Sequence, residues 1–328
     1  MALSEKVLNT KDTKNTEGTK NTFLNTSAAK HGLECGQKQV LAFRKVVFVP
    51  FVSFVFFVVL GAATQSEPRR IVSLVPALTE MLFAIGAGPQ VVGVSSYDKF
   101  PADVQALPRV GALLDPDTER ILSLKPDLVI TYGSQVDLQT QLQRASIATF
   151  DYRHGGLDHI FVTLRQLGQR TGRTQEAETV AAGIEARINA IKSRVAGRPR
   201  PRTLLVFSRD PRALRNIYVS GGSGFLHDML VTAGGQDVFA DVKRESVQAT
   251  TETILARSPD VILEIRPDDI PAGKELDEEM AAWARLAAVP AVRNKRVYFI
   301  TGQQMTVPGP RVVDGIERMA RVLHPAAR

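Results

Sequence analysis

The chain has 328 residues, 44% of them hydrophobic, and a formal net charge of +7. That is enough apolar material for two ordinary domains, and it excludes low-complexity and collagen-like classes. Eight Lys/Arg and four Asp/Glu fall within residues 1–63, so the remainder is nearly balanced; it carries no basic run interleaved with aromatics, which argues against nucleic-acid binding.

Residues 1–40 are polar, with the loose repeat KDTKNTEGTKNT, and show no apolar period, as in a disordered leader. The single cysteine, Cys35, lies here, so the body has no internal disulfide, thiolate metal site or cysteine nucleophile. Arg44-Lys45 then precede an apolar run over residues 46–63 that ends in Leu60-Gly61-Ala62-Ala63. Positive flank, apolar stretch and small residues make the pattern of a secretory signal, which predicts export to the periplasm and a mature start near Thr64. The alternative is an uncleaved membrane anchor, since the run is close to the shortest that spans a bilayer. No cysteine follows the run, so a bacterial lipid anchor is not expected.

The body then reads as alternating strands and helices. Residues 71–74 form a short apolar strand, 79–85 a helix that stops on glycines, and 91–95 a second strand. Residues 119–130, ERILSLKPDLVI, supply a helix, a break at Pro126-Asp127 and a strand over 128–132; a further strand is expected over 148–150. Proline lacks the N–H and restricts the residue before it, so the helix must end there. The chain writes this stretch again at residues 252–263, ETILARSPDVIL, and the helix LTEMLFAIGAG from Leu78 returns as LHDMLVTAGG from Leu226. Two lobes on one α/β plan follow, with parallel sheets covered on both faces and ligands held at the carboxyl ends of the strands.

Between the two copies the pattern is purely helical. A helix starts near Asp158, read as its N-cap, and a second starts at Thr174 with an apolar stripe through Ala177, Val180, Ala181, Ile184, Ile188, Ile191 and Val195. We read residues 70–157 as an N-terminal lobe, 158–196 as a stiff helical link and 200–328 as a C-terminal lobe. The second lobe has strands over 203–207, 217–219 and 297–300, a Gly221–Gly224 loop entering a helix at Phe225, and a terminal helix from Val312.

The search for reaction chemistry yields little. There is no Walker A and no H-E-x-x-H; GGSGF is not a nucleophile elbow, and Gly86-Ala87-Gly88 follows a helix rather than a strand. His154, His159, His227 and His324 are scattered and suggest surface or satisfied residues rather than a metal cage. Aromatics are more informative. Tyr97 and Tyr132 directly follow predicted strands of the first lobe and Tyr218 lies in a strand of the second, positions from which a phenol can stack on a flat ligand. Trp283 is expected in the core.

RIVSLVPALTEMLFAIG, VVGVSSYDKFP and ERILSLKPDLVI, in this order, resemble the periplasmic substrate-binding proteins of ABC importers for vitamin B12, haem and iron-siderophores, most closely the cobalamin-binding branch. The resemblance covers residues 70 to about 320. It implies the class III periplasmic binding protein fold, α/β, with two Rossmann-like lobes joined by a long rigid α-helix, and binding rather than catalysis. It further implies a corrinoid in the cleft, with Pro76 and Tyr97 packing on the ring and Tyr132 at an aromatic cleft position. Glu119 and Glu252, which open the two copies of the repeat, match the paired glutamates that dock to a permease. Its partners would be that permease and its ATPase, the protein itself acting as a monomer with no cofactor and no metal of its own. Leu113 and Gln303-Gln304-Met305 stand where the cobalamin-binding branch offers tryptophans, and that branch's pair of cysteines in lobe two is missing. Haem or a ferric siderophore is the alternative cargo, with Tyr132 or Tyr218 as an axial ligand or Arg209, Arg212 and Arg215 on an anionic chelate. An enzyme on the same fold is the third reading.

Overall fold

In the computed structural model, which describes residues 67–267 and 273–325, the first lobe runs β1 (Ile71–Ser73), α1 (Pro76–Ala84), β2 (Val91–Val94), α2 (Thr118–Ser123), β3 (Leu128–Tyr132), α3 (Val136–Arg144) and β4 (Ala148–Tyr152). The expected leader, signal and anchor lie outside the described residues. The four strands are all parallel, in the order β2-β1-β3-β4. The chain leaves β1 toward β2 and then crosses to β3 on the other side. α1 packs its apolar residues into the core on one face of the sheet, while Ile121 of α2 and Leu138 and Leu142 of α3 pack on the other. A crevice therefore opens above the carboxyl ends of β1 and β3.

The Pro-Asp repeat is a structural latch. In lobe one the backbone N–H groups of Arg69 and Arg70 donate to the two carboxylate oxygens of Asp127 at 2.7 and 3.0 Å, and the Arg70 guanidinium donates to the Leu124 carbonyl at 2.6 Å. In lobe two Arg202 repeats each part: its N–H donates to Asp260 at 3.2 Å, and its guanidinium donates to the Arg257 carbonyl at 2.6 Å. Each arginine satisfies a carbonyl that the end of the helix leaves open, and each aspartate fixes the first strand of its lobe. The residue before each proline is left-handed, Lys125 at φ 48° and Ser258 at φ 47°, which turns the chain from helix into strand.

The link is α4 (Leu157–Thr171) and α5 (Thr174–Val195). Its N-cap is Gly156 and not the expected Asp158, which sits in the first turn. The Leu157 N–H instead donates to the carboxylate of Asp228, 71 residues away, at 2.8 Å, a cap that local sequence cannot reveal. The 22 residues of α5 span about 33 Å and bury Ala177, Ala181, Ile184, Ile188 and Ile191 as one stripe. α4 and α5 meet at Gly168, where an added Cβ would stand 2.4 Å from that of Ala177.

Lobe two contains β5 (Arg202–Ser208), β6 (Ile217–Ser220), α6 (Phe225–Thr232), β7 (Gln236–Asp237), β8 (Ser246–Ala249), α7 (Thr251–Arg257), β9 (Val261–Arg266), α8 (Lys274–Ala284), α9 (Pro290–Arg293), β10 (Val297–Thr301) and α10 (Val312–Leu323). The sheet order is β10-β9-β5-β6-β8 with β7 beside β5; β6 runs antiparallel to both its neighbours, and the other pairings are parallel.

One apolar core runs through both lobes. Ile71, Leu78 and Met81 of the first join Leu164, Ile184 and Ile188 of the link and Met229, Leu263 and Ile316 of the second in a single cluster. An ion pair adds to this seam: the Arg311 guanidinium donates to both carboxylate oxygens of Glu80 on α1, at 2.6 and 2.9 Å, and stacks 3.9 Å above the Phe100 ring. The Glu80 side chain is nearly buried; desolvation raises its pKa and the arginine partly opposes that.

Candidate functional site

Two adjoining apolar hollows meet between the lobes. The first, about 220 Å³, is lined on one side by Leu74, Pro76, Leu113, Tyr132 and Tyr152 of lobe one, and on the other by Thr306, Val307 and Pro308 of lobe two. The second, about 230 Å³, is lined mainly by Phe207, Phe225, Leu226 and Glu245 of lobe two. His154 and Thr306 line both. Larger hollows occur elsewhere, such as one of about 540 Å³ beside the end of α5 lined by Lys192, Arg198, Arg200, Asp158 and Asp228, but among the described residues no strand residue lines that one.

The sequence elements explain the lining. Leu74 follows β1 and Pro76 opens α1, β3 ends on Tyr132 and β4 ends on Tyr152, paired in register with Tyr132. Those two rings meet edge to face at 5.8 Å, and Tyr152 continues to His154, its hydroxyl 3.3 Å from Nδ1. His154 in turn meets Phe225 of lobe two edge to face at 5.1 Å. Gly224, at φ 88°, lets the chain turn into α6 and deliver Phe225, with Glu245 packed where a Cβ would stand. Burial pushes the Tyr152 phenol well above its ordinary pKa and keeps it protonated, and burial lowers the His154 pKa against a weaker upward pull from Glu245.

Of the expected site residues, the fold brings Pro76 and Tyr132 together in the first hollow. Tyr97 is on the lip after β2, 68% exposed, and lines neither hollow. Tyr218 is half exposed on β6, its ring 6.5 Å from Phe207. Glu119 and Glu252 occupy the second position of α2 and α7 and are exposed. Each helix runs back antiparallel to the strand that follows it, so both acids sit at the cleft end of their lobes.

Tyr152 and His154 are the residues missed from sequence. The expected strand stopped at 150, so neither was seen as a strand-end residue, and His154 was read as a loop or surface group. Applying the strand-end rule to β4 at its full length finds both. Arg209 does not lie where the arginine reading expects it. Arg209 is fully buried, donating to Glu264 at 3.0 Å and to Glu279 at 2.5 Å, with Arg266 and the Trp283 indole completing the network. Arg212 pairs with Glu278 and Arg215 with Asp210. Arg209 is therefore not free to take an anionic chelate, whereas Arg212 and Arg215 are exposed and held only by surface pairs. Among the described residues, no group of three or more His, Cys, Asp or Glu could hold a metal ion, and no helix is long and apolar enough to cross a membrane.

The model of the periplasmic binding protein family matches residues 71–304. A vitamin B12-binding protein of Salmonella typhimurium is 33% identical over 227 residues, covering 68% of this chain and 80% of its own. An uncharacterized ABC transporter substrate-binding lipoprotein of Bacillus subtilis, YvrC, is 29% identical over 269 residues, covering 80% of this chain and 82% of its own. The solved structure of the periplasmic heme-binding protein RhuT from Roseiflexus, in apo form, superposes with a TM-score of 0.66 at 27% identity, over 79% of this chain and 99% of that one. A cleft between two α/β lobes, a helical link and a family match over most of the body agree: the chain belongs to the periplasmic binding protein family, in its two-lobed, helix-linked form, and is a binding protein rather than an enzyme.

Proposed function

We propose that this chain is the extracytoplasmic substrate-binding protein of an ABC importer and that its cargo is a corrinoid of the cobalamin type. The observation that carries the reading is the apolar cleft, walled by Pro76, Tyr132, Tyr152 and Phe225 from both lobes, in a chain 33% identical to a vitamin B12-binding protein. A rigid, weakly polar ring system fits such walls, which offer area and edge-to-face partners and few fixed charges. Tyr97 on the lip would cover the outer edge of the ring, and Tyr218 would approach from lobe two.

Glu119 and Glu252 would dock to the permease. They stand at equivalent points on either side of the cleft, as a permease of two identical subunits requires. Charged rim contacts of this kind set encounter rate and register more than affinity. The protein would reach the periplasm through the signal over residues 46–63, bind as a monomer and make no bond.

The second reading is haem. It is favoured by the Tyr132 phenol at the cleft wall and by the fold shared with a heme-binding protein. Calorimetric titration of the exported protein with cyanocobalamin, haemin and a ferric hydroxamate separates the cases. Tightest binding of cyanocobalamin or another corrinoid supports the first; tightest binding of haemin replaces it with the second.

A further inference from the structure

The apolar cleft carries a charge that stacking does not use. Among the described residues that line the two hollows, Glu245 is the only acid, and none is a lysine or arginine. It stands just before β8, on a loop drawn against the Gly221–Gly224 turn: the Gly222 N–H donates to the Val242 carbonyl at 2.7 Å, and a Cβ on Gly222 would overlap the Ala240 carbonyl. The Glu245 stem packs over Gly224, where a Cβ would stand 2.8 Å from its Cγ and 3.2 Å from its carboxyl carbon. Its carboxylate is thereby held beside the first turn of α6, whose open N–H groups favour a negative charge.

Among the described residues no hydrogen bond or ion pair engages that carboxylate. The cations close to the cleft are turned elsewhere. Lys243 donates to the Ala240 carbonyl at 2.9 Å, Arg153 lies 3.8 Å from the Asp151 carboxylate, and Arg244 is exposed and lines neither hollow. The charge is felt on the opposite wall: burial and the Tyr132 phenol raise the Tyr152 pKa and Glu245 adds to the rise, while burial lowers that of His154 and Glu245 opposes it.

An uncompensated carboxylate in an apolar cleft acts in opposite directions on two chemistries at the edge of a bound ring. An amide there donates a charge-assisted hydrogen bond to it, whereas a second carboxylate is repelled and finds no cation to replace its water. Resting on the corrinoid reading above, we propose that Glu245 is a specificity-determining residue, which admits rings whose peripheral side chains are amides and rejects those whose side chains are carboxylic acids. Attraction to the one and repulsion of the other both add to the discrimination.

The test uses the exported protein with two probes that share one ring and the same axial ligands: dicyanocobinamide, whose side chains are amides, and dicyanocobyrinic acid, whose side chains are carboxylic acids. Haemin is the third probe. Calorimetry near neutral pH, where the carboxylic acids of the probe are ionised, reads the affinities. Native protein should bind the amide form roughly tenfold or more tightly than the acid form. Glu245→Gln keeps the shape and one acceptor oxygen; it should bind the acid form roughly tenfold more tightly than native protein does and still bind the amide form, which also shows that the variant is folded. Native protein that binds both forms alike, or a variant that binds the acid form no more tightly than native protein does, overturns the charge selection and leaves the corrinoid reading standing. Binding of haemin with no binding of either corrinoid overturns both.

Discussion

Asp98 offers a test of the physical reasoning that does not depend on the cargo. It follows Tyr97 in the loop after β2, is 2% exposed, and neither carboxylate oxygen has a hydrogen-bond partner. The Thr79 hydroxyl, which packs nearby, donates to Ser73 instead, at 2.8 Å. Burial pushes the Asp98 pKa from 3.8 up to about 6, and the nearby Arg109 charge opposes it only in part. That gap corresponds to about 3 kcal/mol of cost for holding the ionised form in the fold. Because the folded value lies above the unfolded one, the protonated carboxyl contributes stability below pH 3.8, and that contribution is lost as pH rises through about 6. Asp98→Asn removes the charge and keeps the shape. Stability at pH 7.5 should therefore rise by about 1 to 3 kcal/mol, the lower figure allowing for the lost attraction to Arg109 and the amide's own unmet donors. Urea unfolding at pH 7.5, 6.0 and 4.5 measures it. The difference between variant and native protein isolates Asp98 from the other titrating groups, and it should shrink steadily as the pH falls. A difference that stays constant across those pH values would mean that the carboxyl is not held at a raised pKa.

Tyr132→Ala should weaken the binding of cyanocobalamin by roughly one to two decades, through the loss of about 1 to 3 kcal/mol of buried area and ring contact; calorimetry showing an unchanged affinity would remove Tyr132 from the site. Glu119→Ala combined with Glu252→Ala should leave ligand affinity intact and reduce complex formation with the permease, most clearly at low salt, as read by co-purification from membranes. Arg209→Met should cost about 3 to 5 kcal/mol in urea unfolding, because it leaves the buried Glu264 and Glu279 carboxylates to share the single, more exposed Arg266. A loss below about 1 kcal/mol would mean that Arg266 alone satisfies both.

The architecture was legible where the rule is local. Pro126 and Pro259 mark helix-to-strand turns in any context, and the stripe from Ala177 to Ile191 can bury itself only as a helix. Short polar strands were not legible: β7 is Gln236–Asp237 and β8 is Ser246–Ala249, both held by pairing with strands elsewhere in the sheet rather than by their own apolar pattern. The same limit governs the site. Tyr132 follows from the strand-end rule and Pro76 from the family resemblance, whereas Arg209 was expected on an anionic chelate because Glu279, 70 residues further on, is invisible from its neighbours. Tyr152 was missed because Asp151 interrupts the apolar run of β4 before the strand ends.

The apolar seam shared by the two lobes, reinforced by Arg311 on Glu80, bears on kinetics. Prying the jaws apart would expose buried hydrocarbon and break the Arg311–Glu80 ion pair, so the seam favours a set gap and a ligand need not wait for a rare open form. Capture should then proceed in one step, first order in ligand, with no plateau in the observed rate as concentration rises. Release is then governed by the contacts between cargo and walls, because the seam resists any widening of the gap that would loosen them.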